Sequence, residues 1–159
     1  MCSQLLLPPS LLGVLEREAG RRGVPPEVVA VEMLLRLARE EERPRVLLDA
    51  ARTALEHADR WAERGEYLEA LWRLWGSVVL LLEAYAESVG LRVEGLGGFY
   101  SAASRAAGEG LGVLADAWSY GVAARVLREL GDKGAAEGFY GLARSRVGEA
   151  AGALAGRLG

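Results

Sequence analysis

Cys2 is the only cysteine in the chain, which excludes an internal disulfide and every cysteine-rich zinc site. His57 is the only histidine, so a metal centre would have to rest on carboxylates almost alone. The carboxylates are scattered rather than clustered, and the sequence predicts no metal and no cofactor. Lysine occurs once, at Lys133, and isoleucine and asparagine are missing. Codon bias accounts for this; adaptation to heat would do so equally, because thermolabile amides are scarce. Long apolar runs are lacking too. Residues 74–82 form the longest, interrupted by Gly76 and Ser77 and closed by Arg73 and Glu83, too short to cross a bilayer. Leu5, Leu6 and Leu7 run straight into Pro8 and Pro9 with no basic segment before them, so no secretory signal and no membrane partner are expected. The expected location is the cytoplasm. A basic excess is also missing: with a net charge of -3, nothing in the overall electrostatics favours nucleic acid.

What is present is apolar periodicity, in a chain that is 51% hydrophobic and therefore not disordered. Ser10 reads as the N-cap of a first helix in which Leu11, Leu12, Leu15 and Ala19 recur at helical spacing, with Gly23 as its left-handed stop. Pro25 and Pro26 open a second helix carrying Val28, Val29, Val31, Met33, Leu34, Leu35 and Leu37. So wide an apolar surface needs cover from the rest of the chain, from a second chain, or from both. Pro44 marks the boundary between an N-terminal arm, residues 1–43, and a helical bundle, residues 44–159.

Within that bundle the spacing predicts a third helix ending at Gly65 and a central fourth helix over 66–89. The outward stripe of the fourth is Glu66, Glu69, Arg73 and Ser77. Gly95, Gly97 and Gly98 read as a linker, followed by helical sequence over 99–130 broken near 108–112. A last helix over 135–158 sets Gly141, Gly148, Gly152 and Gly156 on one stripe. Glycine inside a helix costs about 0.5 to 1 kcal/mol relative to alanine, so the stripe predicts either a close helix crossing or glycine drift on a wet face. Met33, Leu34 and Leu37, with Gly141, Gly148 and Gly152, are the candidates for dimer contact or close packing.

Three further patterns bear on function. Gly-x-aromatic-x-x-Ala occurs at Gly65, Tyr67, Ala70 and at Gly98, Tyr100, Ala103, with an imperfect copy at Gly131, Lys133, Ala136. That period is near a tetratricopeptide unit and raises a protein-binding solenoid as one alternative. The first forty residues resemble a ribbon-helix-helix module: a short strand candidate over 3–7, a helix, the turn Arg22-Gly23-Val24 and a second apolar helix. The module raises a DNA-binding regulator as another alternative, although Ser3 and Gln4 are the only polar groups on the strand. No phosphate-binding Gly-Lys-Ser or Gly-Lys-Thr loop is found.

The third pattern is Gly65-Glu66-Tyr67-Leu68-Glu69-Ala70, continued by Trp75-Gly76, by Glu83-Ala84 and by Gly90-Leu91. It resembles the signature of the archaeal PaREP family, helical bundles related to HEPN domains. The sequence departs from that signature where Leu71, Trp72 and Arg73 replace a polar trio and where Glu83 replaces a lysine. The resemblance implies an all-α, up-and-down HEPN-like bundle, with Tyr67 and Arg73 as candidate ligand or partner contacts. It also implies a nucleotidyltransferase or RNA-handling protein as partner. Some HEPN relatives are ribonucleases with an arginine and a histidine at the spacing of Arg52 and His57, which makes that pair the weak catalytic candidate. On the third helix they read as solvated surface residues. The expectation is a non-catalytic interaction module that forms a homodimer through its N-terminal arm.

Overall fold

A computed structural model describes residues 6–159, so most of the strand candidate over 3–7 lies outside the described residues. The described chain is helical throughout: α1 (Pro9–Arg22), α2 (Pro26–Leu34), α3 (Arg43–Glu63), α4 (Tyr67–Ser88), α5 (Gly95–Gly108), α6 (Gly112–Leu130) and α7 (Lys133–Leu158). Two single 3-10 turns, Leu35–Leu37 and Glu40–Glu42, join α2 to α3.

Proline sets the starts of the first helices. Pro8, not Ser10, occupies the cap position of α1, and Pro9 opens the helix, where a missing N–H costs nothing because that group has no intrahelical partner. Gly23 then ends α1 in the left-handed region at φ 66°, its N–H donating to the Ala19 carbonyl. Pro26 opens α2 in the same manner, and Pro44 sits in the first turn of α3. α2 stops at Leu34, earlier than its apolar pattern suggests, because the chain tightens into a 3-10 turn and then becomes extended at Ala38.

α4 supplies the centre. Leu71, Leu74, Trp75, Val78, Leu81, Leu82 and Tyr85 are all buried along it, and it packs against α2, α3, α5, α6 and α7. Ser77 does not belong to an outward stripe. It is fully buried, and its hydroxyl donates to the Ala51 carbonyl of α3 at 2.8 Å, so the polar group is satisfied inside the core. α3 also packs on α7, which brings the two ends of residues 44–159 together. A solenoid confines each unit to its neighbours, and this contact goes beyond that pattern.

The glycine-rich segment is not a linker. Gly95 to Gly98 form the first turn of α5, and a Cβ at Gly98 would lie 3.3 Å from the Val93 backbone; the bare backbone is what lets the helix begin against the preceding loop. In α7, Ala143, Val147, Ala150 and Leu154 face the core, whereas a Cβ at Gly141, Gly152 or Gly156 would meet nothing within 4 Å. Those glycines make no close crossing within the chain. No helix among the described residues is long and apolar enough to cross a membrane.

Candidate functional site

The richest concentration of polar chemistry lies where α1 and α2 meet α4. Trp75, only 2% exposed, donates its indole N–H to the Gly23 carbonyl at 2.8 Å, which ties the α1–α2 turn to the central helix. Beside it, Gly76 admits the Pro25 ring, whose Cγ would be 3.0 Å from an added Cβ. Arg73 reaches out of α4 to pair with Glu27 of α2 and, at 3.9 Å, with Glu69 one turn back. Arg22, the last residue of α1, grips Glu32 of α2 with both terminal guanidinium nitrogens, Nη1 and Nη2. A fork of two parallel hydrogen bonds fixes orientation as well as charge.

Glu32 leads into a cavity of about 280 Å³ whose wall includes Arg22, Glu83, Glu87 and Arg92. Burial, reinforced by the hydrogen-bonded Glu32 carboxylate, holds the Glu83 carboxyl well above its ordinary value of 4.5. Burial also pushes Glu32 upward, but its hydrogen bonds to Arg22 and Glu83 outweigh this and leave it lowered. Of the two carboxyls, Glu83 is the one that holds its proton to higher pH. The folded chain holds the Glu83 proton more tightly than the unfolded chain does. That stabilisation is complete below the unfolded carboxylate range and is lost as pH rises through the raised value. Glu83→Gln keeps a donor toward Glu32 and removes the titration. Urea unfolding from pH 4 to pH 9 should therefore show the variant gaining stability over the native chain as pH rises; a constant difference would show that Glu83 titrates normally.

A second polar cluster joins α3 to α7. Asp59 accepts from the Tyr140 hydroxyl at 2.7 Å and from Arg144 through Nε at 2.9 Å and Nη2 at 3.0 Å. Burial first, and the Asp59 hydrogen bond second, raise the Tyr140 phenol above its ordinary range, so it stays a donor. Tyr67 packs on the Tyr140 ring with centroids 6.0 Å apart. Nothing in this cluster combines a nucleophile with a base, and its chemistry is that of a structural clamp.

The residues singled out from sequence fall in different places. Arg52 and His57 are both exposed on α3, and five residues of helix turn them about 140° apart around the axis. The structure does not bring them together. Tyr67 is half-buried on Tyr140, and Arg73 is engaged by Glu27 and Glu69. Met33, Leu34 and Leu37 stand out from the protein, 61%, 54% and 84% exposed. Gly141 and Gly152 are exposed on α7, while Gly148 lies beneath the Arg144 side chain. Among the described residues no group of three or more His, Cys, Asp or Glu side chains could hold a metal ion. The Arg22–Glu32–Glu83 arrangement is not apparent from the sequence; its one local sign is Glu83 directly after the aliphatic run of α4. Comparison with protein families, with curated proteins and with solved structures finds no match to this chain.

Proposed function

We propose that the protein is a non-catalytic helical interaction module whose N-terminal helix pair docks on a second copy of itself. The supporting observation is the exposure of Met33, Leu34 and Leu37 within one turn and a half of chain, next to a firmly anchored seam. Leu11, Leu12 and Val14 of α1 are also exposed on the same two-helix unit. Large apolar side chains left in water in such a group mark a surface that is covered in use. The neighbouring charges suit a like partner. Arg36 and Arg39 precede Glu40, Glu41 and Glu42, all exposed, with Arg39 pairing to Glu41 and Glu42 of its own chain; a two-fold axis passing between the two groups would set opposite signs against each other.

The polar ties beneath this surface explain why it is a platform and not a loose end. Arg22–Glu32, Arg73–Glu27 and Trp75–Gly23 hold α1 and α2 on α4, so docking needs little ordering of the chain. The resemblance to HEPN-related bundles adds a nucleotidyltransferase or RNA-handling protein as the partner class of the assembled dimer. Size-exclusion chromatography with light scattering tests the reading. The native chain is expected at twice its 17.0 kDa mass and Leu37→Glu at the monomer mass, with an unchanged helical circular-dichroism spectrum. A native chain that runs as a monomer at about 100 μM would overturn it.

A further inference from the structure

The seam between the N-terminal helix pair and the rest of the protein holds a carboxyl with no cation of its own. Glu83, half-buried on α4, lines the cavity of about 280 Å³ together with Glu32 of α2, and no arginine pairs with it among the described residues. The two arginines of the cavity are committed elsewhere. Arg22 forks on Glu32, and Arg92 pairs with Glu94 at 3.1 Å. Leu35, Leu47, Ala86, Leu91 and Val93 complete the wall, and apolar surroundings strengthen whatever charges meet inside them.

The charges that face Glu83 come from each element around it. Arg22 belongs to α1, Glu32 to α2, Glu87 to α4 itself and Arg92 to the loop that follows; Glu18 of α1 acts on Glu32 from behind, and α3 contributes only Leu47 to the wall. Three carboxyls therefore meet two arginines that already have partners. His57, the one histidine, is exposed on α3 and does not line the cavity, so it brings no titration to the seam. The helix pair also has somewhere to pivot. α1 packs chiefly on α2, α2 packs on α4, and the chain between α2 and α3 is two single 3-10 turns with an extended residue, Ala38, between them. Rotation about one such residue moves a rigid pair without disturbing the packing on either side.

We infer that Glu83 is a pH-operated latch: protonated, it holds α1 and α2 on α4, and ionised, it faces Glu32 across the seam and the pair swings open about Ala38 while the remaining helices stay packed. Burial and the neighbouring Glu32 place Glu83 well above its ordinary value of 4.5, and opening returns it to water. Closure is thus complete below the ordinary carboxylate range and weakens by up to about tenfold for each pH unit above it, until the raised value is passed. Opening uncovers the face of α4 at Trp75 and Gly76, on which Gly23 and Pro25 sit in the closed form.

The test is amide hydrogen exchange of the full chain, read by mass spectrometry between about pH 5 and about pH 8.5 and corrected for the intrinsic pH dependence of exchange. The amides of α1 and α2 are expected to be less protected than those of α6 and α7 throughout, and to lose at least about tenfold in protection across the range. Glu83→Gln should keep the protection of the low-pH form at every pH. Glu32→Gln, which removes the facing charge and frees Arg22 for Glu83, should also flatten the profile and serves if Glu83→Gln lowers the helix content. Glu87→Gln, at an exposed position on the same helix, should keep the pH dependence. Protection of α1 and α2 equal to that of α6 and α7 would leave only global unfolding and overturn the latch. So would a native profile that does not change with pH, a Glu83→Gln profile that does, or loss of the dependence in Glu87→Gln. Leu37→Glu should follow the native profile, which separates this inference from the oligomeric reading.

Discussion

Trp75→Ala is expected to lower the stability of the protein by about 4 kcal/mol, read as a fall in the urea midpoint. The side chain is 2% exposed, so truncation removes a large apolar area and leaves a hole beside Trp118 and Val79. The Gly23 carbonyl loses its indole donor at the same time. Trp75→Phe separates the two contributions: it keeps most of the packing and loses the donor, and about 1 to 2 kcal/mol is expected for it. If the alanine variant costs less than about 1 kcal/mol, Trp75 does not anchor the α1–α2 turn.

Gly121→Ala is expected to cost about 2 to 3 kcal/mol, although alanine is the better helix former. Gly121 is buried on α6, and an added Cβ would lie 2.7 to 2.9 Å from three atoms of the Val78 side chain. Val78 is branched at Cβ, fully buried and held within α4, so it has no free rotamer to move into. Gly152→Ala supplies the contrast. Its Cβ would meet nothing, and the change should stabilise α7 by about 0.5 to 1 kcal/mol. Val78→Ala combined with Gly121→Ala should recover part of the loss, because the smaller neighbour relieves the clash. Thermal melts of the four chains decide the matter, and a stabilised Gly121→Ala would show that α4 and α6 can move apart.

The helices themselves were legible because their causes are local. Apolar residues at three- and four-residue spacing set the buried faces, Gly23 carries the left-handed stop, and the aliphatic run of α4 marks the central helix. Gly121 was not legible, since nothing in its neighbourhood along the chain reveals that Val78 lies against it. Ser77 misled for a related reason: periodicity puts a polar residue outward, and only the carbonyl of Ala51, 26 residues away, makes its burial tolerable. The clamp of Asp59 with Tyr140 and Arg144 spans 81 and 85 residues. The raised carboxyl of Glu83 beside Glu32 likewise depends on two helices meeting. Composition lists these groups but cannot pair them. The extent of exposed apolar surface on α2 was half legible. Its width is written in the sequence, but which residues stay bare depended on where the helix stopped, at Leu34.

The placement of α4 has a consequence for how the molecule comes apart. α2, α3, α5, α6 and α7 all lean on this one helix, and no other helix has as many helical neighbours. Loosening α4 withdraws the support of every neighbour together, so the melt should be a single cooperative event in which calorimetric and van't Hoff enthalpies agree. α1 is the exception. It rests chiefly on α2 and on the ties at Arg22 and Gly23, and its amides should exchange with solvent well before those of the helices around α4.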